Sequence, residues 1–181
     1  FNRTAELPAA LYRSQAGSPI HWQPWSQETL EMAKKSKRLL LVAIAHPQQS
    51  SCLQVLRHLA DSPALVAKWN QEYVPVLVDA DAVRELGLLA PELCAEIRRP
   101  LDLPLFVWMS CEGNPVAWIP VSSRERKEVL AMFDQSYDMI GPVWSEDPEY
   151  VVKNSALDNG NRRARMEEQR KSVVFSDRPK E

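Results

Sequence analysis

The sequence predicts an α/β domain in which a central mixed β-sheet is flanked by helices. Three apolar runs of strand length, at 39–45, 73–78 and 103–108, show little alternation, as strands covered on both faces do. Between them, apolar residues recur at helical spacing. After the third run, Cys111-Glu112-Gly113-Asn114 reads as a turn into a returning strand at 116–119. The element order is therefore β-α-β-α-β-β-α.

Residues 1–25 are expected to be irregular, because Pro8, Pro19 and Pro24 each break a helix. Trp22 and Trp25 bracket Pro24, so this segment is expected to pack across the body of the domain. Ser26 is a good N-cap, followed by Gln27, Glu28 and Glu31, and the positive charge of Lys34-Lys35 suits a helix C-terminus. His46-Pro47 ends the first strand, and Val55, Leu56 and Leu59 mark the helix after it. Asp61 or Ser62 caps a second helix with Pro63 in its first turn. Pro75 within the second strand points to an edge position or a bulge.

Residues 82–98 read as a helix with Pro91 as a local break. Ser122 or Ser123 is expected to cap a long helix carrying Val129, Phe133, Tyr137 and Ile140 as a stripe. The domain proper thus runs over 26–141. Residues 142–181 form an extension with a short helix at 147–156, an Asn159-Gly160 turn, a solvated charged stretch from Arg162 to Lys171, and a disordered end from Ser176.

A length of 181 residues suffices for one domain with its own core. Net charge of -2 gives no electrostatic case for nucleic acid, and no apolar run is long enough to span a membrane. Three irregularly spaced cysteines do not make a disulfide framework. Asn2-Arg3-Thr4 matches a glycosylation sequon, a three-residue pattern that arises readily by chance. A start at Phe1 rather than Met suggests that a leader, a tether or other upstream residues were removed.

The chemistry-bearing position is Gln49-Ser50-Ser51-Cys52, between the first strand and its helix. This is the place where a thioredoxin-type fold carries Cys-x-x-Cys, and here only the second cysteine is present. An internal disulfide needs two thiols, the second resolving the mixed disulfide made by the first. The dithiol cycle therefore has no first sulfur here. Cys52 in the first turn of a helix could still serve as a monothiol, since the helix dipole favours a thiolate. Against that, the second cysteine of such motifs usually faces the protein body.

Beyond fold, Asn2-Arg3, the segment Ser18-Pro19-Ile20-His21-Trp22-Gln23-Pro24-Trp25 and the strand leading to Cys52 resemble one family. It is the thioredoxin-like N-terminal domain of the YyaL-type, spermatogenesis-associated proteins. Trp69-Asn70-Gln71-Glu72-Tyr73-Val74, Val78-Asp79, Asp102-Leu103-Pro104-Leu105, Trp118-Ile119-Pro120 and the stretch from Trp144 to Ser155 continue the resemblance over residues 2–155. The departures lie in the motif: Gln49 stands for the family's first cysteine, Ser50-Ser51 for its His-Trp, and Leu53 for the following His. Ala43 stands where thioredoxin has a buried acid. The family's helical-barrel second domain lies outside these 181 residues, so its activity is not carried over. The resemblance implies a cytoplasmic protein, or an exported or tethered one if a leader was removed.

The resemblance also implies that Leu103-Pro104 carries the cis proline that shapes a groove for extended peptide beside the active loop. His46, Cys52 and His58 form too sparse a set for a closed zinc site, and no metal or other cofactor is expected. Cys94 reads as a core residue and Cys111 as the most exposed thiol, with a Cys52–Cys111 disulfide left open. Trp22, Trp25 and Trp144 either staple irregular segments down or anchor a partner. The expected function is a redox-inactive, protein-binding or accessory domain. The alternatives are a monothiol oxidoreductase or redox sensor using Cys52, and a peptide-binding folding or assembly helper.

Overall fold

The computed structural model describes residues 1–4, 9–121 and 125–176, the last four of these by backbone alone. Four strands, β1 (Leu39–Ala45), β2 (Tyr73–Asp79), β3 (Leu105–Met109) and β4 (Pro115–Pro120), form one sheet in the order β2-β1-β3-β4. β1 runs parallel to β2 and antiparallel to β3, and β3 runs antiparallel to β4 with an irregularity at Trp108/Met109. The helices are α1 (Ala10–Ser14), α2 (Gln27–Ser36), α3 (Ser50–Ala60), α4 (Pro63–Glu72), α5 (Arg84–Glu96), α6 (Arg126–Glu146) and α7 (Pro148–Ser176).

The missing alternation in β1 has a direct cause: all seven of its residues are buried. Leu39, Leu41, Ala43 and Ala45 face one core with α1, α3, α4 and α6, while Leu40, Val42 and Ile44 face a second core with α2 and α5. At the centre of the first core, Phe133 of α6 lies 4.8 Å from Phe106 and 5.2 Å from Trp69 between ring centroids, edge to face. The Trp69 indole N–H donates to the Tyr137 hydroxyl. Burial pushes the Tyr137 phenol far above its ordinary range, so it stays protonated as a hydrogen-bonding core residue.

Local signals explain the elements. Ser26 caps α2 by accepting from Thr29 N–H at 3.3 Å, and Ser62 caps α4 with Pro63 at its first position. Lys37 closes α2 in the left-handed region at φ 54°. Gly87 admits a close approach of α5 to the loop after β2, because a Cβ there would sit 2.2 Å from the Ala80 carbonyl oxygen. Pro91 lies inside α5 without ending it. The residue preceding α6 is Glu125 rather than the expected serine, and Ser122 and Ser123 lie outside the described residues.

The N-terminal segment is more ordered than its prolines suggest. A one-turn helix, α1, fits upstream of Pro19, and the Tyr12 hydroxyl accepts from the Asp79 N–H at 3.0 Å. Pro8 lies outside the described residues. Gln23 then covers the β2 edge, donating to the Pro75 carbonyl at 2.8 Å and accepting from Leu77 N–H at 3.1 Å. Pro75 therefore sits on an edge strand with its nitrogen turned away from β1, where no ladder bond is lost. Asn70 clamps the same segment, accepting from His21 N–H at 2.8 Å and donating to the Pro19 carbonyl at 3.1 Å. Asn2 is engaged as well: its amide donates to the carbonyls of Gln15 and Ser18 and its oxygen accepts from Thr4. The sequon match coincides with a structural asparagine.

The C-terminal extension departs most from expectation. The short helix and the Asn159-Gly160 turn are one continuous helix, α7. Gly160 is tolerated at a cost of about 1 kcal/mol because its neighbours hold the helix down. Asn159 donates to Asn114 Oδ1 at 2.7 Å, and Arg162 is buried, bonded to Glu96 at 2.5 and 3.1 Å and stacked 5.3 Å over the Trp118 ring. Arg162 is thus a docking residue rather than part of a solvated stretch. Of the end expected to be disordered from Ser176, Ser176 itself closes α7, and residues 177–181 lie outside the described residues. Among the described residues no helix is long and apolar enough to cross a membrane.

Two expectations follow. Trp22→Ala should cost about 3–5 kcal/mol in denaturant unfolding, as large aromatic truncations in cores do, since Trp22 is fully buried and meets Trp69 edge to face at 6.0 Å. A loss under 1 kcal/mol would contradict this packing. Arg162→Ala should speed amide exchange across 148–165 while leaving β1 protected. Hydrogen bonding from Arg162 holds the Glu96 carboxyl below its usual range, so this docking is present above the ordinary glutamate pKa and is lost as pH falls through the depressed value. Exchange across 148–165 measured at descending pH should show α7 loosening in acid before β1 opens.

Candidate functional site

β1 ends at Ala45, and the chain crosses His46–Gln49 before α3 begins at Ser50. Gln49 is the extended residue preceding α3, at φ −93° and ψ 107°, with no side-chain cap. It occupies the exposed station at the helix start, and Cys52 occupies the next inward-facing one, fully buried in the first core. The Cys52 N–H donates to the Gln49 carbonyl at 3.0 Å, and its thiol contacts the Gln49 side-chain oxygen at 3.7 Å as a weak donor. The Gln49 side chain thus accepts a weak hydrogen bond from the Cys52 thiol.

Burial pushes the Cys52 thiol up. A backbone hydrogen bond from His46 partly offsets this, and the Asp102 carboxylate adds to it. The position in the first turn of α3 therefore does not make a thiolate. Ala43 is buried within the sheet beside Phe106, so this position supplies no carboxylate to relay a proton.

The wall beside the loop comes from the start of β3. Pairing of Ile44 with Leu105 places Pro104 next to the end of β1. The Leu103-Pro104 peptide bond is cis, Pro104 is buried, and its carbonyl accepts from Val121 N–H at 3.1 Å. Leu103 is half-buried and touches both cores. Sequence position alone did not reveal the loop's tether. The His46 ring accepts from Gln48 N–H at Nδ1, 3.2 Å, which leaves Nε2 to donate to Asp81 at 2.8 Å. Asp81 is held in turn by Asp79, whose Oδ1 accepts the Asp81 and Ala82 N–H groups.

The other candidate residues are dispersed. All three cysteines are free. Cys94 is buried in the second core, across the sheet from Cys52. Cys111 lies two residues beyond Met109, which pairs with Leu40 near the start of β1, whereas Cys52 follows the end of that strand. A Cys52–Cys111 disulfide is therefore corrected: the two thiols stand at opposite ends of the sheet. His46 is engaged with Asp81, and no group of three or more His, Cys, Asp or Glu capable of holding a metal occurs among the described residues. Trp22 staples its segment into the core, Trp25 is half-buried with its indole N–H on Glu85 at 2.9 Å, and Trp144 lines a groove at the start of α7.

The chain resembles several known proteins. The Thioredox_DsbH family, described as "Protein of unknown function, DUF255", matches residues 1–159. An uncharacterized protein of Caenorhabditis elegans, B0495.5, is 18% identical over 155 residues, covering 86% of this chain and 21% of that protein. The chain thus spans about a fifth of that relative's length. Among solved structures, a DsbH oxidoreductase is 17% identical with a TM-score of 0.42, covering 56% of this chain and 72% of the other. A thioredoxin from Thermus thermophilus is 20% identical with a TM-score of 0.45, covering 71% and 94%. The assignment rests on the match over 1–159 and on the strand order rather than on these two likenesses. With its thioredoxin-like sheet and this match over most of its length, the chain belongs to the DsbH-type thioredoxin-like family DUF255.

Proposed function

We propose that this domain is a redox-inactive member of its family that works by binding protein, as an accessory module. The observation that carries the proposal is Cys52, fully buried, with its thiol turned to Gln49 where an attacking sulfur would stand. Dithiol exchange requires an exposed attacking sulfur paired with a second one, and position 49 carries none. The surface this reading assigns to binding is the half-buried Leu103 beside the loop, positioned by the buried cis Pro104 behind it.

Kinship with the YyaL-type N-terminal domain belongs to the same reading. It is supported by the way Ile20, Trp22, Gln23 and Asn70 lock the N-terminal block to β2 and α4, which gives those shared residues a common structural task.

The second reading, a monothiol enzyme or sensor using Cys52, is favoured by one observation: the thiol lies in the first turn of α3, where the dipole helps an anion. Reactivity distinguishes the two. Native protein treated with iodoacetamide at neutral pH should be alkylated first at half-buried Cys111, with Cys52 and Cys94 reacting only on unfolding. Because the Cys52 pKa is raised, its labelling should stay slow through about pH 8.5, where an ordinary thiol ionises. Cys52 labelling as fast as a free thiol would establish the monothiol reading instead.

A further inference from the structure

The groove at the start of α7 sets exposed Lys34, Lys37 and Lys153 against Glu112, Asp147 and Glu149, so its charges answer one another. A smaller cavity of about 360 Å³ lies between α2, the N-terminal segment and the start of β2. Met32, Val74 and Pro75 form its apolar walls. The volume falls in the range of about 300–1,000 Å³ typical of small-molecule sites, which join apolar walls to a few orienting polar groups. Tyr73, also in the lining, pairs with Leu39 at the start of β1, so the cavity is remote from Cys52, which follows the other end of that strand.

Two polar groups in this lining are incompletely answered. Arg38 is the first. Its Nε donates to Ser36 Oγ at 3.0 Å, and its Nη1 donates to the carbonyls of Asn70 and Tyr73, each at 2.9 Å. These bonds fix the guanidinium at the C-terminal end of α4, while Nη2 donates to nothing among the described residues. No carboxylate lies within 4.0 Å of Arg38 among those residues. Burial lowers the Arg38 pKa, and no neighbouring carboxylate opposes that shift. The other charges of the lining are matched or absent. Arg3 pairs with Glu28 at 3.3 Å, and burial lowers the His21 pKa, which leaves that ring neutral at pH 7. The cavity therefore holds one positive charge in a fixed place.

The second group is the Gln23 amide. Its Nε2 donates to the carbonyls of Phe1 and His21 at 2.6 and 3.0 Å, so its head group is bracketed by two lining residues. Gln23 is 4% exposed, yet its Oε1 accepts no hydrogen bond among the described residues. Turning the amide over would set its oxygen against two carbonyl oxygens, so the orientation is fixed. A buried acceptor left unmade is unfavourable, and this wall rewards an arriving donor.

We propose that this cavity binds a small monocarboxylate that also carries an O–H or N–H donor, such as a 2-hydroxy acid with a short apolar chain. Its carboxylate meets Arg38 Nη2, its donor meets Gln23 Oε1, and its chain lies along Met32, Val74 and Pro75. The site is independent of residues 49–52 and of any partner bound beside Leu103.

The test titrates the full chain with 2-hydroxy-4-methylpentanoate and follows backbone amide shifts by NMR. The amides of His21, Met32 and Val74 should move saturably, and those of β4 and α7 should not. Removing the hydroxyl, in 4-methylpentanoate, should weaken binding about fivefold. Replacing the carboxylate by an amide, in 2-hydroxy-4-methylpentanamide, should weaken it about tenfold or more, since hydrogen bonds to charged groups are the stronger kind. Met32→Trp, which fills the cavity, should abolish the shifts while the melting temperature stays near the native value. Arg38→Gln should erase the preference for the acid over its amide. The ligand series and Met32→Trp decide the matter even where Arg38→Gln unfolds, because they leave the Arg38 bonds to Asn70 and Tyr73 in place. Equal binding of acid and amide would overturn the proposal, as would equal binding with and without the hydroxyl. Shifts that persist in Met32→Trp, or no saturable shifts at all, would overturn it too.

Discussion

The double-sided burial of β1 is the constraint on which the rest of the molecule depends. A seven-residue strand with every side chain covered requires helices on both faces of the sheet, and α3, α4 and α6 on one side with α2 and α5 on the other meet that requirement. The strand also sets both ends of the molecule. Its C-terminal end delivers the chain to His46 and residues 49–52, and its N-terminal end, beside Arg38 and the β3–β4 turn, bounds the groove under α7. Any change that loosens β1 moves both places at once.

The other end of β1 is built around the loop that leads into α3. The loop is held by His46 on Asp81, the wall contains cis Pro104, and the Gln49 carbonyl accepts from Cys52 N–H at the helix start. Position 49 carries a glutamine and position 43 an alanine, so neither supplies a thiol or an acid. Burial acts on the Cys52 thiol, raising its pKa where the helix dipole would lower it. Because desolvation dominates, Cys52 behaves as a small apolar residue with a weak donor.

Much of the fold was legible because its signals are local. The strand runs, the Ser26 and Ser62 caps, Pro63 and the turn at Gly113 each specify their element through residues a few positions apart. Trp69 and the α6 stripe were readable as core for the same reason. The placement of residues 49–52 between β1 and the first turn of α3 was legible from strand-loop-helix context, and burial of Cys52 from its inward-facing position on that helix. What escaped were features made by long-range contact. Nothing near Asn159-Gly160 announces that Asn114, Trp118 and Glu96 will hold that stretch helical, and the pair favours a turn on local grounds. His46–Asp81 spans 35 positions, and the α2–α7 groove exists only once α7 has docked. The Pro-rich start hid α1 in the same way, because a single turn is stabilised by burial of Leu11 and Tyr12 rather than by propensity.

The most direct measurement is disulfide exchange on an insulin substrate with dithiothreitol as electron source, comparing native protein, Cys52→Ser and Gln49→Cys. The account predicts that the native domain and Cys52→Ser both run at the uncatalysed rate, and that Gln49→Cys raises it by restoring a second thiol to a preserved loop and cis-proline wall. Native catalysis that disappears in Cys52→Ser would contradict it.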